Sequence, residues 1–89
     1  MFLLKWSPEA WSEYIYLQEH DKNAIKKTNA LLKDLQRNGY NATLGKPEML
    51  KNDFSGFASV RIDKKNRIIF SVENDTVVVI QCGGHYINK

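Results

Sequence analysis

Three apolar segments separated by short polar connectors make up most of the C-terminal third of this 89-residue chain. They span residues 57–62, 67–72 and 76–82, and the first two largely alternate apolar with polar or small side chains. Such two-residue alternation is the pattern of a β-strand with one buried face. The connectors, 63–66 and 73–75, are turn-like and too short for a crossover between parallel strands. The pattern therefore predicts an antiparallel meander of two hairpins.

The N-terminal half carries the signals of a strand followed by two helices. An apolar stretch at residues 2–6 predicts the strand. Ser7 and Pro8 then predict a helix start, because serine caps free backbone N–H groups and proline suits the first helical position. Asp21 is typical of a second cap, and Gly39 of a helix end, since glycine adopts the left-handed conformation that closes helices. Apolar side chains recur between these signals every three or four residues, which predicts two antiparallel helices joined by a tight corner.

Length and composition bound the class of protein. We expect one domain spanning residues 1–89, an α+β fold in which the helices pack on one face of the sheet. The stretch 40–48 contains Gly45 and Pro47 and predicts a loop. The single cysteine excludes an internal disulfide and, with only two histidines, argues against a zinc site, so no metal or cofactor is expected. No stretch has the length of a signal peptide or a membrane span, so we expect a cytoplasmic protein without membrane contact.

The alternation in the first two strands predicts which residues pair. Burying both apolar sets on one side requires partners whose numbers sum to an even value. This parity predicts a connection of odd length, a three-residue turn with a bulge. Arg61 then lies opposite or nearly opposite Arg67, on the face of the sheet that does not carry the apolar sets. This face is here called the arginine face. Two like charges facing each other across a strand pair are unfavourable unless an anion lies between them. The apolar sets are Ala58, Val60 and Ile62 in the first strand, and Ile68, Phe70 and Val72 in the second.

The third strand extends this prediction towards the C-terminus. We expect Val78 and Ile80 in the core, which directs Gln81 towards the arginine face. His85 then follows on the same side if the chain stays extended, although the pair Gly83–Gly84 is able to break that extension. We therefore expect an exposed sheet face that gathers two guanidinium groups and an imidazole.

These groups are suited to binding a phosphate and cleaving RNA. Arginine binds phosphate through two parallel hydrogen bonds, and Glu48 brings a carboxylate to the rim with Lys51 close behind. A carboxylate base can deprotonate the 2′-hydroxyl, which attacks its own phosphate, while an imidazole such as His85 protonates the leaving 5′-oxygen. Each proton transfer contributes roughly 10²–10⁴ in rate, and fixed cations stabilise the charge that develops on phosphorus.

Simpler interpretations exist for each of these residues. The net charge of +3 and its clustered lysines and arginines favour an anionic partner, but a solvated helix face explains the first cluster equally well. Glu48 is equally a solvent-exposed loop charge, Arg67 a solubility device at a strand end, and His85 a solvated tail residue. Tyr86 either stacks on a base or packs against the sheet edge. Cys82 is expected to be a small core residue with an inert thiol.

Nearly the whole chain resembles the YoeB/Txe toxins, a branch of the RelE-like superfamily in bacterial toxin–antitoxin modules. The Gly-Lys-Pro-Glu segment followed by Leu-Lys, together with the closing His-Tyr, is specific to this branch. The matching residues are Trp6-Ser7, Trp11, Tyr14, Tyr16, Asp21-Lys22, Lys26-Lys27, 31–34, Gly45-Lys46-Pro47-Glu48, Leu50-Lys51, Ser55-Gly56-Phe57, Arg61-Ile62, Asn66-Arg67-Ile68 and His85-Tyr86.

This resemblance implies a RelE-like, microbial-RNase-like fold and a ribosome-dependent endoribonuclease that cuts mRNA at the A-site codon. Glu48 matches the family's general base, His85 its general acid and Arg67 the arginine that stabilises the scissile phosphate. The supporting or RNA-contacting positions are Lys51, Arg61 and Tyr86. Expected partners are the ribosome, its mRNA and a cognate antitoxin of the YefM/Phd-like kind. Members of this branch dimerise, so a homodimer is compatible with the resemblance.

Departures from the family pattern leave alternatives open. Gly83–Gly84 stands where the family usually has larger residues, often basic or aromatic, and this loosens the backbone before His85. Val60 stands where a second arginine is common, and Ala58 stands where an aromatic residue is common. The chain also continues through residues 87–89, so activity is either weaker or helped by the tail. One alternative function is a toxin that blocks its target without cutting RNA. Another is a basic RNA-binding domain with salt-dependent affinity for free RNA.

Overall fold

A five-stranded sheet covered on one face by two helices forms the body of the protein in the computed structural model, which describes residues 1–84. The strand order is β1-β5-β4-β3-β2, with β1 parallel to β5 and every other pair antiparallel. The elements are β1 Leu3–Trp6, α1 Pro8–His20, α2 Lys22–Asn38, β2 Glu48–Met49, β3 Ala58–Arg61, β4 Arg67–Glu73 and β5 Thr76–Gly83, with short 3-10 turns at Gly39–Asn41 and Asn52–Phe54.

This architecture confirms the α+β fold and the meander of β3, β4 and β5. Two features go beyond the expectation. The N-terminal strand β1 joins the sheet beside the last strand, β5, as its parallel neighbour. The segment predicted as a loop ends in β2, where Glu48 lies opposite Ser59 of β3. The loop prediction was therefore wrong at Glu48, because a two-residue edge strand is too short to show any alternation.

The helix boundaries follow the capping signals. Ser7 Oγ accepts a hydrogen bond from the Ala10 N–H at 3.0 Å, and Asp21 Oδ1 accepts one from the Ala24 N–H at the same distance. Gly39 ends α2 with a φ of +56° and lies against the ring of Phe2, where a β-carbon would approach ring atoms to 2.9 Å. Glycine is therefore required at this position both by its backbone conformation and by space.

The core lies between the helices and one face of the sheet. Its strand residues include both apolar sets predicted for β3 and β4, with Phe70 only 1% exposed. Trp11 of α1 lies outside this core, since 49% of its surface is exposed. It instead forms an aromatic cluster with Trp6, at a centroid distance of 5.4 Å, and Tyr14, at 5.7 Å. The buried helix residues of the core are Ala10, Leu17, Ala24, Leu31, Leu32 and Leu35.

A β-bulge in β5 corrects the prediction for the third strand. Val77 and Val79 are fully buried, whereas Val78 and Ile80 are only partly buried, so the core assignment of the last two was wrong. Val79 lies opposite Phe70 but Gln81 lies opposite Ile69, which leaves residue 80 without a partner. The bulge reverses the alternation, so Gln81 still reaches the arginine face as predicted. A run of apolar residues carries no period that would reveal such a shift.

Candidate functional site

The arginine face is organised as two rows of directly opposed residues. One row runs from Glu48 through Ser59 and Ile69 to Gln81, and the next from Arg61 through Arg67 to Gly83. Opposed residues in neighbouring strands share a face of the sheet, and these lie on the face opposite the core cluster. The register therefore confirms the even-sum pairing that placed Arg61 opposite Arg67.

The two arginines are close neighbours on this face. The Arg61 N–H donates to the Gly45 carbonyl at 2.6 Å rather than across to β4, so Arg61 and Arg67 form a non-hydrogen-bonded pair. In such pairs the Cα atoms are only about 4.5 Å apart and the side chains lie closest. Arg61 is exposed, while Arg67 is half-buried and donates from Nη1 to the Ser59 hydroxyl at 3.4 Å. Two cations held this close attract an anion.

Glu48 and Arg67 both flank Ser59. Glu48 is its cross-strand neighbour from β2, and Arg67 is its hydrogen-bond donor from β4. The Glu48 carboxylate is exposed and, within residues 1–84, forms no ion pair. Lys51 lies exposed just after β2, where its carbonyl accepts the Phe54 N–H. The structure thus brings together Glu48, Arg61 and Arg67, with Lys51 on the adjoining segment.

The expectation of an exposed sheet face was wrong for its centre. Ser59, Ile69 and Gln81 are all at most 3% exposed. Short side chains lie beneath longer ones here, as Ser59 does beneath Arg67, and Gln81 folds along its own strand to donate to the Gly83 carbonyl at 2.7 Å. The centre of the arginine face is therefore buried, and the charged groups lie around it.

Helix α1 supplies a wall that the sequence reasoning missed. An open groove of about 1400 Å³ is lined by Glu13 and Tyr16 of α1 and by Arg67 and Gly83 of the sheet. The Glu13 carboxylate accepts the Cys82 N–H at 2.7 Å. This N–H lies on the edge of β5 beyond Val79, where the pairing with β1 has ended. The sequence signal for this wall was the position of Glu13, three residues after Ala10 and four before Leu17, both of which are buried in α1.

The C-terminal end of β5 is fixed by the turn between β3 and β4. A β-carbon on Gly84 would collide with the backbone carbonyl of Lys65, whereas one on Gly83 would meet nothing closer than Glu13 at 3.8 Å. Strand β5 continues through Gly83, and Gly84 follows it in a bend. His85 and Tyr86, the expected acid and RNA contact, lie outside the described residues.

Cys82, the single cysteine of the chain, is a free cysteine in the core. Cys82 is fully buried, and burial, followed by the nearby negative charge of Glu13, raises the pKa of its thiol to about 12. The expected core position of Cys82 is thereby confirmed, and a raised pKa favours the unreactive thiol form. Across residues 1–84, no three histidine, cysteine, aspartate or glutamate side chains group closely enough to hold a metal ion.

Comparisons with known proteins agree on one family. A family model described as "YoeB-like toxin of bacterial type II toxin-antitoxin system" matches residues 6–86. The chain is 43% identical over 83 residues to the toxin YoeB of Escherichia coli K12, which covers 93% of this chain and 98% of that protein. It is 34% identical over 77 residues to the toxin YoeB of Synechocystis, covering 86% and 88% respectively.

Solved structures give the same result for the fold. A heterotetrameric YoeB–YefM toxin–antitoxin complex from Staphylococcus aureus contains a chain that is 37% identical, with a TM-score of 0.86 and coverage of 97% of this chain and 99% of that one. A YoeB dimer from the same organism is 38% identical, with a TM-score of 0.85 and coverage of 96% and 98%. The Escherichia coli protein YafQ, at 13% identity and a TM-score of 0.80, covers 99% and 98% and shares the fold.

Proposed function

Because the chain belongs to the YoeB-like toxins of bacterial type II toxin–antitoxin systems, we propose that it is an endoribonuclease that cleaves mRNA at the A-site codon of the ribosome. One observation carries this proposal: a carboxylate and a guanidinium flank Ser59 on a face where two arginines are paired. The carboxylate is a proton acceptor and the arginines are phosphate ligands, the two groups that a 2′-hydroxyl attack requires beside the scissile phosphate.

The proposed reaction assigns one step to each of these groups. Glu48 accepts the proton of the 2′-hydroxyl, whose oxygen forms a bond to the neighbouring phosphorus. Arg67 and Arg61 donate to the phosphoryl oxygens, which gain negative charge as phosphorus becomes pentacoordinate. The bond from phosphorus to the 5′-oxygen then breaks and leaves a 2′,3′-cyclic phosphate. By the resemblance, His85 donates the proton to the departing oxygen. Lys51 and Tyr86 contact or support the bound RNA.

The partners follow from the same family membership. Relatives from Staphylococcus aureus form a complex with YefM and a dimer, so we infer a YefM-like antitoxin and a homodimer for this chain as well. Among residues 1–84, no helix is long and apolar enough to cross a membrane. Action on translating ribosomes would place the protein in the cytoplasm.

Cleavage mapped on a message in translating ribosomes tests the proposed reaction. We expect Glu48→Gln and Arg67→Ala each to lower the rate of A-site cutting by roughly 10²–10⁴, the contribution of one proton transfer or one charge-stabilising group. Glu19→Gln is the matched control, because it neutralises an exposed carboxylate on α1 outside the arginine face, and it should cut at the native rate.

The same experiment separates the nuclease from its alternatives. Growth arrest with an intact message would indicate a toxin that blocks its target without cutting RNA. Cutting of free RNA at a comparable rate would indicate an RNA-binding enzyme without a ribosome requirement. Native cutting by Glu48→Gln would show that this carboxylate is not the base.

A further inference from the structure

The carboxylate of Asp34 on α2 binds the loop that leads to Glu48. Its Oδ2 accepts the backbone N–H groups of Thr43 and Leu44, both at 2.9 Å. Its Oδ1 accepts the side-chain amide of Asn38, one helical turn further on, at 2.7 Å. Two successive loop amides are therefore held by one side chain whose own orientation is fixed by a second.

The charge on Asp34 is favoured by the same contacts. Burial by itself would raise the pKa of this carboxyl group, but the hydrogen bonds from Leu44, Asn38 and Thr43, with the positive charge of Arg37, lower it. The group is thus ionised at neutral pH, and hydrogen bonds to an ionised acceptor are about twice as strong as those between neutral groups.

Gly45 provides a second anchor on the opposite side of the loop. Its carbonyl accepts the Arg61 N–H at 2.6 Å. Its φ is +76°, and a β-carbon there would lie 2.8 Å from the Leu31 side chain and 2.9 Å from the Arg61 carbonyl oxygen. The loop therefore passes tightly between α2 and β3, with no room for a side chain at this point.

Little freedom remains between these anchors and the candidate base. Lys46 has a positive φ of +53°, Pro47 has its φ fixed by its ring, and Glu48 is in register with Ser59. The backbone from Thr43 to Glu48 is held by α2 at one end and by β3 at the other. The backbone that carries the Glu48 carboxylate is therefore fixed before any RNA arrives.

We propose that Asp34 is a positioning residue, which holds the loop 43–48 on α2 so that Glu48 faces the phosphate site beside Arg67. The structural half of this inference stands on the contacts alone, whereas its catalytic half rests on the proposed nuclease function. A displacement of about 1 Å at a catalytic group can cost on the order of 10² in rate, so loss of this anchor should affect the chemical step.

Two variants of Asp34 separate positioning from general stability. Asp34→Ala removes the acceptor, whereas Asp34→Asn retains an oxygen for the loop amides. We expect Asp34→Ala to lower the single-turnover cutting rate on programmed ribosomes at least about tenfold, with the half-saturating ribosome concentration within about twofold of native. Asp34→Asn should recover most of the lost rate. The control is Asp21→Ala, which removes the N-terminal cap of α2 and destabilises the fold without touching the loop.

Amide hydrogen exchange gives a readout that does not depend on catalysis. In Asp34→Ala the amides of residues 43–46 and of Glu48 should exchange faster than in the native protein, whereas in Asp21→Ala they should exchange at the native rate. Unchanged exchange in Asp34→Ala would overturn the proposal even if the protein cuts no RNA. A native cutting rate in Asp34→Ala, or an equal loss in Asp21→Ala, would overturn the catalytic half alone, and slow cutting by Glu48→Gln would still support the proposed function.

Discussion

At the scale of single residues, burial decides what the chemistry of a side chain can be. Arg61 and Arg67 share a strand pair, and their difference in exposure gives one a fixed hydrogen bond to Ser59 and leaves the other in solvent. Cys82 lies near the same end of the sheet, beside the groove, but none of its surface is exposed to solvent. Proximity in sequence to the expected catalytic tail therefore does not make it a nucleophile.

We expect the Cys82 thiol to resist alkylation in the folded protein. Burial and the charge of Glu13 raise the pKa of the thiol to about 12, and only the thiolate reacts. At about pH 8, where an unfolded cysteine is partly ionised, iodoacetamide should label the urea-unfolded chain and leave the folded chain unlabelled over the same time. Intact-mass spectrometry measures the added group, and equal labelling rates in the two states would show that the thiol is accessible.

At the scale of elements, the sequence predicts what is local and misses what depends on distant partners. The caps at Ser7 and Asp21 and the pairing of Arg61 with Arg67 are local or follow from period-two alternation, and all are confirmed. The bulge at Ile80 lies in the pairing of β4 with β5, and the continuous apolar sequence of β5 does not reveal it. The rest of the site shows the same division.

The side chains that support the groove could not be predicted from the periodic pattern of apolar and polar residues. Glu13 reaches β5 only because β1 ends early, and Asp34 reaches the loop before Glu48 only because α2 packs beside it. These side chains lie 69 and nine or ten positions from the backbone groups they bind. The sequence therefore yields the charged groups of the arginine face but not the side chains that hold their supporting backbone.

The two glycines at the end of β5 are not equivalent, and substitution should separate them. Gly84→Ala places a β-carbon against the Lys65 carbonyl, so the turn or the strand end must shift, at a cost of about 1–3 kcal/mol of unfolding free energy. Gly83→Ala meets only ordinary contact with Glu13 and reduces the entropy of the unfolded chain, so it should be neutral or stabilising by less than about 1 kcal/mol. Urea unfolding of both variants measures the difference, and equal stabilities would contradict it.

At the scale of the whole molecule, carboxylates at two separate turns make folding depend on pH. Asp63 accepts the backbone N–H groups of Lys65 and Asn66 in the turn that supports Gly84, as Asp34 does for the loop before Glu48. Burial alone would raise the pKa of Asp63, but the hydrogen bonds from the Asn66 side chain and from the Lys65 and Asn66 backbone, with the charge of Lys65, lower it. Both turns therefore bind their carboxylates in the ionised form.

Acid should weaken both turns together. A carboxyl group whose pKa is lower in the folded state stabilises the fold at pH values above its unfolded pKa of about 3.9. It loses that contribution as the pH falls through the folded pKa. The unfolding free energy should thus be nearly constant from about pH 7 to pH 5 and fall below about pH 4. Asp34→Asn and Asp63→Asn should each be less stable than the native protein at neutral pH, because each loses an ionised acceptor.

The difference between native and variant should then shrink in acid, since protonation removes the same charge from the native protein. Urea unfolding at about pH 7, 5 and 3 measures this convergence. The control is Asp53→Asn, at an exposed position where the side chain accepts no hydrogen bond within residues 1–84, and its difference from native should not depend on pH in this way. Differences for Asp34→Asn and Asp63→Asn that persist unchanged at about pH 3 would show that the negative charge is not what stabilises these turns.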